Sequence, residues 1–237
     1  MRLITPGTLT IGACTLDAPP MTVLTEDGRT GFEPAVARAI GRELGLDVVY
    51  ADTAFTDFYD RLEAGAVDAV MFNQTITPER LERAVFSTPY GLFNDAILVR
   101  AGSDIHHVDD LRGMTVGSVI GTANMEIAEQ IDGAAVVGYP EGLAGWQELL
   151  RDFAAGRVDA VCDDELVLRA MEPDGYRIIH VIATANPFGI GIAKDNPELL
   201  DAVNDALRRL VESGEMERMW NDWLPTPYEL KTAYVAR

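Results

Sequence analysis

The chain has 237 residues, 48% of them hydrophobic, enough to bury a core in one large domain or two small ones. Its 38 Asp plus Glu outweigh 19 Lys plus Arg, a formal charge of −19, which argues against a nucleic-acid or anionic-membrane binder and leaves a zwitterionic or cationic small ligand compatible. No apolar run reaches the roughly 18 residues of a membrane-spanning helix, and two cysteines, Cys14 and Cys162, are too few for a disulfide framework and lack zinc spacing.

Leu9–Ala13 reads as a first strand. The stretch Ile11-Gly12-Ala13-Cys14 imitates a lipoprotein cleavage box, but the residues before it include Thr5, Pro6, Gly7, Thr8 and Thr10, too polar for a signal segment. An export signal is therefore expected outside this sequence. Glu26-Asp27-Gly28 is a turn signal. Phe32 to Leu44 places apolar residues at 32, 36, 39, 40 and 44, an amphipathic helix ended by Gly45. Val48–Tyr50 reads as a strand, Asp57–Glu63 as a helix closed by Gly65, and Val67–Met71 as a buried strand. This alternation predicts a mostly parallel sheet covered by helices.

The same grammar then restarts. Strands are expected at Ile97–Val99, Thr115–Val119, Val158–Val161 and Arg177–Ile182. Helical segments are expected at Val108–Leu111, Asn124–Gln130, Trp146–Ala155 and Asp163–Met171. The segments LEAGAVDAVMFNQ (62–74) and FAAGRVDAVCDDE (153–165) repeat one another as helix end, glycine and Val-Asp-Ala-Val strand. Two similar α/β lobes are the simplest account. Pro197–Val211 and a segment through Met216, Met219, Trp220 and Trp223 give two further amphipathic helices.

In open α/β sheets, ligands bind beyond the carboxyl ends of the strands. Asn73, Gln74 and Thr75 follow one such strand, Gly121 and Thr122 another, and Asp163 and Asp164 a third. Arg80 begins the helix after Asn73. A guanidinium holds a planar carboxylate through two parallel hydrogen bonds, and an acid nearby would hold an ammonium. Arginine at one end and aspartate at the other describe a trap for a zwitterion. A surface arginine paired with Glu79 or Glu82 is the competing reading, and spacing does not separate the two.

The motifs G-F-E-P-A-V-A-R-A-I-G-R-E-L-G, T-I-T-P-E-R, F-S-T-P-Y, D-L-R-G-M-T-V-G, A-G-R-V-D-A-V and F-G-I-G-I-A-K occur in this order. Over residues 8 to 224 they resemble the polar amino-acid-binding proteins of ABC importers, solute-binding family 3. The resemblance implies a two-lobed periplasmic-binding-protein type II fold, with lobe 1 at 1–95 plus 190–237, lobe 2 at 96–189 and a ligand cleft between them. Crossings near Leu98 and Phe188 would form the hinge. It implies that Arg80 binds the ligand carboxylate, with Asn73 and Thr75 completing its shell and Phe72 bordering the pocket. Gly121-Thr122 would add backbone donors, with Ala123 next to them where a hydroxyl is common. Asp164 would bind the α-ammonium. Asp17 stands where an aromatic residue commonly stacks on the ligand, and Phe55 could supply that surface instead.

The resemblance further implies a monomer that loads a membrane permease from the periplasmic or extracellular face, with no cofactor, no metal and no nucleic-acid partner. A cyclohexadienyl-type dehydratase on the same fold, or a ligand-sensing domain, are the alternatives. The first needs a positioned general acid, and His106, His107 and His180 all fall elsewhere in the second lobe.

Overall fold

The structure, a computed structural model, describes residues 1–230 except 16, 17, 141 and 229, and leaves the side chains of 143 and 173 undescribed. In chain order its strands are β1 (Thr8–Ala13), β2 (Val23–Thr25), β3 (Gly28–Thr30), β4 (Asp47–Asp52), β5 (Ala69–Val70), β6 (Val85–Phe86), β7 (Gly91–Arg100), β8 (Thr115–Val119), β9 (Ala135–Tyr139), β10 (Ala160–Asp164), β11 (Tyr176–Phe188) and β12 (Gly191–Ile192). The helices are α1 (Phe32–Leu44), α2 (Phe58–Glu63), α3 (Pro78–Leu81), α4 (Ala123–Ala128), α5 (Leu143–Ala154), α6 (Glu165–Met171), α7 (Pro197–Glu212) and α8 (Glu215–Trp223).

The chain divides into two compact units, Met1–Leu92 with Asn186–Arg237, and Phe93–Ala185. It passes from one to the other within β7 and back within β11. Residues 93–95 and 186–189 therefore lie on the other side of these boundaries from where the sequence reading sets them, because both crossings run inside continuous strands.

The sheet of the first unit has the order β4-β1-β5-β12-β6. Its β4, β1 and β5 are mutually parallel, whereas β12 runs antiparallel to β5 and β6. The apolar stripe of α1 buries Phe32, Val36, Ala39 and Ile40. Gly45 ends α1 in the left-handed conformation (φ 66°) that the sequence pattern anticipates. On another face Phe58, Leu62, Val67, Val70 and Phe72 pack with Cys14. A ring cluster joins Phe32, Tyr90, Phe188, Trp220 and Tyr228.

The second unit has the order β11-β7-β10-β8-β9, with β10, β8 and β9 parallel and β7 antiparallel to β10. Both faces of this sheet are apolar, one packing Leu98, Leu149, Phe153 and Val161, the other Ile97, Leu111, Val116 and Cys162. Both cysteines are buried and free.

The repeated Gly-x-Val-Asp-Ala-Val does the same work in each unit. Gly65 (φ 64°) and Gly156 (φ 74°) reverse the chain after a helix in a conformation costly for other residues. Asp68 then accepts the backbone N–H of Thr10 on β1 (2.8 Å), and Asp159 accepts that of Thr115 on β8 (2.8 Å). Each aspartate pins its strand to the neighbouring parallel strand and sets the register.

Some expectations are corrected. The helix foreseen over Asp163–Met171 starts at Glu165, because Asp163 and Asp164 still pair with Ala96 and Asp95 on β7. The strand foreseen over Val67–Met71 forms ladder pairs only at Ala69–Val70. Strand β9, absent from the sequence reading, is a half-exposed edge lacking clean alternation, and pairing with β8 defines it.

Candidate functional site

The first unit builds a turn at the carboxyl end of its central strand β5. Asn73 adopts the left-handed conformation (φ 46°), and the N–H of Thr75 bonds back to the Asn73 carbonyl (2.8 Å). Residues 187–189 secure this turn, with Ile76 N–H on the Pro187 carbonyl (2.9 Å) and Gly189 N–H on the Gln74 carbonyl (3.0 Å). The Gln74 side chain is fully buried, accepts the Tyr59 hydroxyl (2.6 Å) and donates to the Phe72 carbonyl (2.9 Å). Gln74 and Tyr59 thus hold the turn from beneath. Sequence reasoning named Gln74 only as part of a polar stretch and did not see Tyr59, whose role depends on α2 packing under the turn.

Thr77 caps α3 by accepting the backbone N–H of Arg80 (3.3 Å), with Pro78 pre-set for the first helical position. This short helix turns Arg80 back over the turn. Its guanidinium donates to the Thr75 carbonyl (2.9 Å) and lies over the Phe55 ring at 5.4 Å. Phe55 in turn meets Phe58 (5.4 Å) and Phe72 (6.3 Å). Among the described residues no carboxylate forms an ion pair with Arg80; neither Glu79 nor Glu82 does so. Nearby Arg83, by contrast, pairs with both Asp60 and Glu63. So the structure brings together Phe55, Phe72, Asn73, Thr75 and Arg80. A half-buried, planar cation with unused donors suits a carboxylate.

In the second unit, Gly121 (φ 78°) and Thr122 follow β8 and lead into α4. The Thr122 hydroxyl caps α4 by accepting Met125 N–H (3.2 Å) and donates to the Val119 carbonyl (2.7 Å). Its side chain is thereby engaged within the unit, and Ala123 opens the helix. Next in α4, the buried Asn124 donates to Asp95 (2.6 Å) and to Asp164 (3.0 Å). Thr184 also donates to Asp95 (2.6 Å). Asp163 accepts the N–H of Asp164 (2.8 Å). Burial, with Asp95 close by, pushes the Asp163 carboxyl well above the usual range. Burial beside these acids likewise pushes the Cys162 thiol up, which leaves it unreactive. Asp95 and Asn124 were not singled out in the sequence, because the register between β7 and β10 is what sets Asp95 opposite Asp164. Asp17 lies outside the described residues.

Two α/β units of this strand order, one bearing an arginine fork over an aromatic ring and the other an acidic strand end, define a solute-binding protein. The chain matches the bacterial extracellular solute-binding proteins, family 3, over residues 9–226, and belongs to that family. It is 30% identical to the L-cystine-binding protein TcyJ of Escherichia coli (strain K12), an alignment covering 92% of this chain and 82% of that one. It superposes on an ancestral arginine-binding protein bound to arginine with TM-score 0.79 and 31% identity, covering 92% of this chain and 98% of the other. It also matches the ancestral amino acid-binding protein AncCDT-1, a precursor of cyclohexadienyl dehydratase, with TM-score 0.80 and 29% identity, over 92% and 95% of the two chains. Among the described residues no helix is long and apolar enough to cross a membrane.

Proposed function

We propose that this chain is the solute-binding component of an ABC importer, and that it captures an amino acid or amino-acid-like zwitterion, polar or cationic, for delivery to a membrane permease. One observation carries the reading: Arg80 is half-buried, stacked on Phe55, tethered to Thr75 and in no ion pair among the described residues. A cation held in that way is set for an external carboxylate. Asn73 and Thr75 complete the carboxylate shell, and Phe55 and Phe72 form its apolar wall. In the second unit Gly121, Thr122 and Ala123 offer backbone donors, and Asp164 takes the ammonium. Asp163 beside Asp164 favours a ligand with more hydrogen-bond donors than a simple zwitterion. Capture by closure of the two units on the ligand is what the resemblance implies.

The relatives' names, L-cystine-binding and arginine-binding, agree with this class of ligand. We place the protein on the periplasmic or extracellular face of the cell membrane, as a monomer without cofactor, and its charge of −19 disfavours nucleic acid. A dehydratase activity is the second reading, since AncCDT-1 is a precursor of such an enzyme and Asp163 holds its proton more tightly than an ordinary carboxyl. Binding without turnover remains the reading we adopt.

Thermal unfolding of protein stripped of carried-over ligand, against a panel of amino acids and their N-modified relatives, tests it. A ligand bound only by the native state stabilises it by about 2.7 kcal/mol at a hundredfold excess over Kd. One chemical class should raise Tm sharply. A panel with no shift refutes the amino-acid reading, and product formation from a cyclohexadienyl acid would move the assignment to the enzyme.

A further inference from the structure

Behind the Arg80 turn lies an acid that binding by Arg80 does not explain. Glu33 is the second residue of α1 and only 2% exposed. The backbone N–H of Asn73 donates to its Oε1 (2.9 Å), and the Tyr90 hydroxyl donates to that same oxygen. Its Oε2 is buried and, among the described residues, meets no partner at hydrogen-bond geometry, with the Thr22 hydroxyl beside the carboxyl. Two donors converge on one oxygen and no hydrogen bond of good geometry reaches the other, an arrangement that a neutral acid tolerates better than a carboxylate does. An ionised carboxylate would leave a charged oxygen unsatisfied in a dry interior, which costs more than leaving a neutral one so.

The contact also explains a strained residue. Asn73 is one of the two non-glycine residues with positive φ among those described, and asparagine tolerates that conformation better than most. Glu33 holds the amide of that residue, at the head of the turn that leads to Thr75 and Arg80.

We propose that Glu33 is a positioning residue of the ligand turn that works in its protonated form, fixing the Asn73 amide through Oε1, and that capture of a carboxylate next to this turn favours the neutral acid and so takes up a proton from solvent. The inference rests on the carboxylate-binding reading of Arg80.

The surroundings single out Glu33 as the group that changes charge near neutral pH. Burial raises its carboxyl to about 7, outweighing the opposing pull of the Tyr90, Asn73 and Thr22 donors. Its position in the first turn of α1 also favours the ionised form, but such a dipole effect is small beside the burial of the group. The other titratable groups facing it among the described residues are Tyr90, from the segment before β7, and Tyr50, from β4. Burial raises Tyr50 to about 12 and Tyr90 well above its ordinary value, so both stay neutral. Arg29 and Arg38 act on Tyr50.

The test uses the whole chain, isotopically labelled, as wild type, Glu33→Gln and Tyr90→Phe. First, the Asn73 amide resonance is followed by NMR from pH 5 to 9 without ligand. It should titrate with a midpoint near the Glu33 value in wild type and stay flat in Glu33→Gln, whose amide oxygen still accepts the same N–H. In Tyr90→Phe the midpoint should move up, since the charged form loses a donor; this variant serves if Glu33→Gln does not fold. Second, affinities for L-arginine and L-glutamine are measured at pH 6 and 8. If ligand raises the Glu33 value by one unit, affinity falls about fivefold between these pH values in wild type. The slope in Glu33→Gln, expected flat, subtracts any titration of the ligand itself. A flat Asn73 resonance in wild type, or equal affinity slopes in wild type and Glu33→Gln, overturns the proposal. Failure of both amino acids to bind at either pH counts against the amino-acid reading, while the ligand-free titration still decides whether Glu33 governs the turn.

Discussion

Replacing Arg80 with alanine separates a residue kept for binding from one kept for folding. Among the described residues, its side chain contributes to the fold one hydrogen bond to the Thr75 carbonyl and one face contact with Phe55. A hydrogen bond contributes a net of about 0.5–1.5 kcal/mol, and a partly exposed cation–π contact about 0.5–1 kcal/mol. Their loss lowers stability by about 1–2.5 kcal/mol, and each kcal/mol moves Tm by about 2–4 °C in a chain of this size. The variant should therefore unfold several degrees lower yet stay folded at room temperature. Binding falls on a different scale. Removing one partner of a desolvated, hydrogen-bonded charge pair costs about 2–5 kcal/mol, roughly 30-fold to several-thousand-fold in Kd. Arg80→Lys should recover little of this, because an ammonium keeps the charge but not the two parallel donors. Circular dichroism melting and calorimetry with the amino acid that most raises wild-type Tm read the two quantities. Unchanged affinity in Arg80→Ala would refute the site. A collapse of the fold would instead show Arg80 to be structural.

Two further outcomes follow from the packing and the charges. A Cβ at Gly91 would stand 2.0 Å from the Phe188 ring and 2.8 Å from that of Trp220, so Gly91→Ala should lower Tm markedly, by the roughly 1–3 kcal/mol or more of an overpacked core; an unaltered melting curve would contradict this ring packing. For Asp163, burial and the neighbouring Asp95 raise the folded value above the unfolded one. Its neutral form is thus favoured by folding, and the stability it contributes is fully present below the unfolded value and lost as pH rises through the folded one. Asp163→Asn has no proton to lose, so wild type should lose urea stability relative to the variant between pH 4 and 8; parallel profiles would show that Asp163 is not buried as described.

The sequence by itself determined the elements whose signal is local. The apolar spacing of Phe32–Leu44 with Gly45 after it specifies α1 and its end, and Pro197–Val211 gives nearly all of α7. The repeated Ala-Gly-x-Val-Asp-Ala-Val marks two like units, because the glycine, the aspartate and the apolar strand act within a few residues of one another. The order of motifs was enough to point to the family and to single out Arg80. Only the tertiary structure decided what depends on partners distant in the chain. The short strand β6 exists through its pairing with β12, and β12 through its pairing with β5 and β6. Asp95 faces Asp164 through the register of β7 on β10, and Asn124 joins them from α4. Arg80 could as well have paired with Glu79 or Glu82; stacking on Phe55, 25 residues earlier, is a long-range choice. Glu33 reads in the sequence as one more acid opening a helix. Burial behind Asn73 and Tyr90 makes it a different chemical group, because a carboxyl's charge is set by the solvent and donors that the folded chain leaves around it.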